Sequence, residues 1–139
     1  MSSPEFTKLI QKAEQGDPIA QFQIGKLYET GSEHVVQDVQ LAFQWYLKAA
    51  EHGQRDAQNS VGDAYYHGRG TEQNQQKAVE WFTKSANNGS ACGQYSLGWL
   101  YNTGRGVNRD VLKARELWTN AASQGHDEAR ADLETMVSK

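Results

Sequence analysis

The sequence predicts an all-α chain of stacked two-helix units, and three observations carry that prediction. Marker glycines Gly53, Gly89 and Gly125 stand 36 residues apart, and Gly16 precedes Gly53 by 37. A fixed period of this size belongs to units that stack side by side rather than to one closed globule. Within each period, two runs of apolar residues recur at helical spacing. Glycine turns and Asp or Asn residues separate the runs at matching offsets.

The elements follow in chain order. Phe6, Leu9, Ile10 and Ala13 share the register of Phe43, Tyr46, Leu47 and Ala50, so the chain opens on a half unit, the second helix of a pair. The first complete unit then presents Ala20, Ile24 and Tyr28, copied as Ala57, Val61, Tyr65 and as Gly93, Leu97, Tyr101. Residues at i, i+4 and i+8 fall along one side of a helix, here termed helix A. Gly31, Gly68-Arg69-Gly70 and Gly104-Arg105-Gly106 follow, where glycine supplies the left-handed backbone that ends a helix. These glycines follow a helix rather than a strand and no Walker lysine accompanies them, so they read as turns and not as a phosphate cradle. Ser32-Glu33-His34-Val35-Val36 is one residue longer than the turns of the other units, and this loop is expected to bulge.

Asp38, Asn74 and Asp110 stand where the second helix needs an N-cap. This helix B carries Ala42, Trp45, Tyr46 and Ala49-Ala50, then Ala78, Trp81, Phe82 and Ser85-Ala86, then Ala114, Leu117, Trp118 and Ala121-Ala122. Spacings of three and four make one face of bulky aromatics followed by small residues, which reads as a packing surface. After Gly125, Ala129, Leu133 and Val137 keep the helix A register, while Asp127, Glu128, Asp132 and Glu134 make the segment polar, as a terminal cap facing water requires. The expectation is one domain of about seven helices, divided as 1–16 (half unit), 17–53, 54–89, 90–125 (three repeats) and 126–139 (cap).

A net charge of −3 offers no overall attraction to phosphate backbones, so nucleic acid is not expected as a partner. No stretch approaches the ~18 apolar residues of a membrane span, and the start MSSPEFTKLI lacks the apolar run of a signal peptide. Cys92 is the only cysteine, which rules out an intrachain disulfide; a cytoplasmic location is expected.

Taken together, Ala57, Val61, Gly62, Tyr65, Gly68, Gly70, Lys77, Ala78, Trp81, Phe82, Lys84, Ala86 and Gly89, with their third-unit counterparts, give the chain a resemblance to the Sel-1-like repeat, a relative of the tetratricopeptide repeat. The resemblance implies a right-handed alpha-alpha superhelix of antiparallel helix pairs, with A helices on the concave face and B helices on the convex one. It also implies an adaptor that binds proteins or peptides. Some bacterial members of that family carry a disulfide in every repeat, a pattern from which this chain departs.

Catalytic and metal chemistry find little footing. His34, His52, His67 and His126 are scattered over turns and helix ends, with no second His or Cys at ligand spacing. His67, in the last turn of a helix A, suits the helix C-terminus. Cys92 reads as a small packing residue with no partnering histidine in its unit. No carboxylate pair stands out for acid-base work. Neither an enzyme nor a cofactor is therefore expected.

The side of helix A opposite the packing residues carries Phe22, Lys26 and Glu29, then Asn59, Asp63 and Tyr66, then Tyr95, Trp99 and Asn102. These positions differ between units while the packing positions repeat. What stacking dictates stays the same, and what it leaves free is available to a ligand. The nine residues form the candidate partner-binding set. Asn59 and Asn102 are assigned to the ligand backbone, Tyr66, Tyr95 and Trp99 to its side chains, and Lys26, Glu29 and Asp63 to its charge. The expected partner is a protein or peptide. A stand-alone inhibitor or immunity-type protein that blocks an enzyme or toxin is the alternative, and self-association through the solenoid ends is a further expectation.

Overall fold

A computed structural model of the chain describes residues 3–137. Among these residues there are eight helices and no strand: α1 (Pro4–Glu14), α2 (Pro18–Thr30), α3 (Val39–Glu51), α4 (Arg55–His67), α5 (Gln75–Asn87), α6 (Ala91–Thr103), α7 (Val111–Ser123) and α8 (Asp127–Val137). The expected count of about seven is one short: the half unit, the three pairs and the cap already add to eight, and the half unit and cap are helices of 11 residues each. The even helices are A and the odd ones B. Each helix packs on its neighbour in sequence, and α4 also packs directly on α6, so the A helices draw together along one side of the stack.

Capping fixes where each helix starts. Asp38, Asn74 and Asp110 accept hydrogen bonds from the backbone N–H of Leu41, Lys77 and Lys113 at 3.1, 3.0 and 3.0 Å, as their positions predict. The A helices use Asp17, Gln54 and Ser90 for the same task. Gly68 and Gly104 end α4 and α6 in the left-handed conformation at φ 70° and 73°, a region costly for residues with a Cβ. The longer first loop closes on itself through a hydrogen bond from Ser32 N–H to the Val35 carbonyl. It buries Val35 and leaves Val36 86% exposed.

The core is a column of glycine–aromatic contacts. Tyr46, Phe82 and Trp118 on the B helices are buried against Gly25, Gly62 and Gly98 on the A helices. A Cβ at those glycines would come within 2.6, 2.6 and 2.5 Å of the rings, so only glycine admits the aromatic at this depth. Burying one such ring contributes about 2–3 kcal/mol. Trp45 and Trp81 are half-buried at the edge, with the Lys48 and Lys84 ammonium groups over their rings at 4.6 and 4.3 Å.

A second column is polar. Gln21, Gln58 and Gln94 occupy equivalent buried positions. Gln21 and Gln58 donate to the carbonyls of Ala13 and Ala50, each at the end of the preceding B helix, at 3.1 and 3.2 Å. The side-chain oxygens of Gln58 and Gln94 in turn accept from the Asn88 and Gln124 amides, at 2.8 and 3.0 Å. His52 holds the corresponding place in the first unit, but its Nδ1 contacts the Lys48 carbonyl, and Gln21 Oε1 is left without a partner.

Candidate functional site

The A side of the second and third units forms an open groove of about 250 Å³ between α4 and α6, lined by Asp63, Tyr66, His67, Ser96, Trp99 and Tyr95, with Phe82 and Leu100 at its base. Asp63, Tyr66 and His67 come from the last two turns of α4, and Tyr95, Ser96 and Trp99 from the middle of α6. Helical phase places each set opposite the residues that pack against α5 and α7.

Within the groove, Tyr66 and Trp99 meet edge to face, ring centroids 6.2 Å apart and planes at 89°. The Arg105 guanidinium lies 5.1 Å from the centre of the Trp99 ring and donates to the Tyr66 hydroxyl at 2.8 Å. Asp63 faces His67 at 3.3 Å. The site thus offers half-buried aromatic surface, a carboxylate and hydrogen-bonding groups on a wall of two fixed helices, a composition suited to recognition.

Other members of the nine-residue candidate set sit elsewhere or are already engaged. Phe22 packs at a 43° tilt against Tyr46, with the Lys26 ammonium 5.4 Å above its ring. Glu29 accepts from the Tyr46 hydroxyl at 2.8 Å and from Arg69 at 3.3 Å. Asn59 accepts from Ser96 Oγ at 2.8 Å, tying α4 to α6 beside the groove. Tyr95 stacks between Trp118 and His126, and its hydroxyl donates to Asp132 at 2.7 Å. Burial, the bond to Asp132 and the charges of Asp132 and Glu128 all raise the Tyr95 pKa; burial, then Glu29, does the same to Tyr46. Asn102 lies with Trp99 on a second groove against α7 and α8.

Ser96 on the groove wall and two arginines that bridge neighbouring units were not singled out from the sequence. Arg69 and Arg105 were taken as part of their turns, yet each reaches back across a repeat boundary to the same helix A position, Glu29 in one unit and Tyr66 in the next. The available signal was an arginine recurring between glycines that alone suffice for the turn. Cys92 corrects another expectation. It is exposed, in the column of Ile19, Asp56 and Glu128 that faces out of the stack. Desolvation, then the Asp56 and Glu128 carboxylates, raise its pKa, so it is not an activated thiol. Among the described residues no three His, Cys, Asp or Glu side chains gather as a metal site, and no helix is long and apolar enough to cross a membrane.

Comparison with known proteins places this architecture. The Sel1 repeat matches at residues 18–54, 55–90 and 93–126. Among solved structures, a Sel1 repeat protein from Oxalobacter formigenes is 32% identical with a TM-score of 0.83, over 96% of this chain and 99% of that one. A protective antigen of uropathogenic Escherichia coli strains with an SLR fold is also 32% identical, with a TM-score of 0.71; the match covers 96% of this chain and 36% of that one. The cysteine-rich protein B of Helicobacter pylori shares the fold at 22% identity and a TM-score of 0.74, over 93% of this chain and 95% of its own. No curated protein matches the chain. Sel1 repeat proteins are generally non-catalytic protein-interaction scaffolds. With three repeats matched over most of its length, the chain belongs to the Sel1 repeat family.

Proposed function

We propose that the chain is a non-catalytic interaction module that takes an extended peptide or a protein segment along its A face, centred on the groove between α4 and α6. One observation carries this reading: Tyr66 and Trp99 present half-buried aromatic surface to an open groove, although stacking of the repeats does not require aromatics there. The equivalent positions in the first unit are Glu29 and Lys26. The family's general role as a scaffold points the same way. A cytoplasmic setting is part of the proposal, supported by the single thiol, and fractionation of cells expressing the tagged chain tests it.

The test uses peptides selected by the immobilised chain from a phage-displayed random library. Each aromatic contributes on the order of 2 kcal/mol if it is an anchor, so Tyr66→Ala and Trp99→Ala should each weaken binding by at least about tenfold. Peptides that bind the wild type and both variants equally would place the binding surface elsewhere. Circular dichroism of each variant separates lost binding from lost fold.

A further inference from the structure

The groove between α4 and α6 lies inside the stack, with α2 and α3 before it and α7 and α8 after it. Its walls limit what kind of side chain can enter. Most of the surface is apolar: Tyr66, Tyr95 and Trp99 stand half-buried at the sides, above the buried Phe82 and Leu100. Of the described residues lining it, Asp63 alone carries a standing charge, since His67 is charged only when protonated. Whatever fills the groove therefore takes water from a carboxylate set beside aromatic rings.

Other acids on the A side are answered within the chain. Glu29 accepts from the Tyr46 hydroxyl and from Arg69, and Asp132 accepts from the Tyr95 hydroxyl. Asp63 meets the His67 imidazole at 3.3 Å, and among the described residues no lysine or arginine pairs with it. Both turn arginines are engaged elsewhere: Arg69 bonds to Glu29, and Arg105 bonds to the Tyr66 hydroxyl and lies 5.1 Å from the centre of the Trp99 ring. Neither lines the groove.

We infer that this groove is a subsite for a lysine or arginine side chain of a bound peptide, its methylenes against the Tyr66 and Trp99 rings and its cationic head on the Asp63 carboxylate. An apolar side chain of similar length would cover the rings but strip water from Asp63 without compensation, which is costly. An acidic one would be repelled. Only a long basic side chain meets both demands, because its stem buries on apolar surface while its head makes a charge-assisted hydrogen bond.

The inference rests on the reading of the groove as a peptide-binding site, and one experiment tells the two apart. Random phage-displayed peptides are selected on the wild type and then measured against the wild type, Asp63→Asn and Trp99→Ala, with circular dichroism to confirm the fold of each. Binding is read at pH 8, where an ordinary imidazole is neutral. Selected peptides should share a Lys or Arg, and such a peptide should bind Asp63→Asn about tenfold more weakly or worse, a loss that shrinks as salt is raised. With methionine in place of that basic residue the order should reverse, the peptide binding Asp63→Asn more tightly than the wild type because no carboxylate has to be desolvated. Peptides with no basic residue in common, or equal binding of a basic peptide to the wild type and Asp63→Asn, overturn the subsite. If those peptides still depend on Trp99, the groove reading stands without it; if no peptide is selected, or binding depends on neither Asp63 nor Trp99, both fall. A concentration-dependent dimer in sedimentation, lost in Asp63→Asn, would overturn the peptide assignment in favour of a second copy.

Discussion

Substituting Gly62 by alanine tests the packing rule on which the stack depends. In an open helix, glycine to alanine is worth up to about 1 kcal/mol of added stability through propensity. Here the new Cβ would lie 2.6, 2.8 and 3.0 Å from three atoms of the Phe82 ring, against an ordinary contact distance of roughly 3.5–4.0 Å. The ring is 4% exposed on α5 and has nowhere to swing, so α4 and α5 must separate. Overpacking of this kind costs about 1–3 kcal/mol, which outweighs the propensity gain. The expected net loss is up to about 2 kcal/mol, a fall in Tm of up to roughly 6 °C for a chain of this length. With Phe82→Leu in the background the clash is relieved, and Gly62→Ala should then stabilise by about 0.5–1 kcal/mol. Urea denaturation of the four proteins gives the coupling directly. An identical effect of Gly62→Ala in both backgrounds would refute the glycine–aromatic account.

Three further outcomes follow from the same structure. His52→Asn places an amide where Asn88 already serves Gln58, and pairing the orphaned Gln21 Oε1 should raise stability by about 1 kcal/mol, read from the urea midpoint. The Tyr46 and Tyr95 hydroxyls have raised pKa values in the folded chain, so the unfolded chain releases those protons first. Stability should hold below about pH 10 and fall as pH rises past it, with two of the six tyrosines ionising only on unfolding in the absorbance at 295 nm. Cys92 is accessible but has a raised pKa, so alkylation at pH 8 should be complete yet slower than for a free cysteine; a faster reaction would contradict the electrostatics assigned to its column.

The scaffold was largely legible from the sequence because stacking imposes the same demand in every unit. Asp38, Asn74 and Asp110 announce their caps, and the spacing of Ala57, Val61 and Tyr65 announces the buried side of α4. Features linking one unit to the next were harder to read. Periodicity gives the direction in which a side chain leaves its helix but not where a long one ends, so Arg69 and Arg105 passed for turn residues. Tyr95 looked free because its partner Asp132 lies in the cap, whose acidic residues were explained by solvent alone. Cys92 was misjudged from the habit of its residue type. Its own column, with Asp56 and Glu128 at equivalent places, already indicated an outward position. The groove needed the structure, since α4 and α6 contribute its two walls from different repeats.

The four tryptophans give the most direct test of where a partner binds, because they divide between the two faces. Trp45 and Trp81 lie on B helices beneath lysines, Trp118 is buried, and Trp99 lines the groove. With 5-fluorotryptophan incorporated and the four 19F resonances assigned by substitution, titration with a selected peptide should move the Trp99 signal and leave those of Trp45 and Trp81 in place. A shift of Trp45 or Trp81 with Trp99 unmoved would contradict the account.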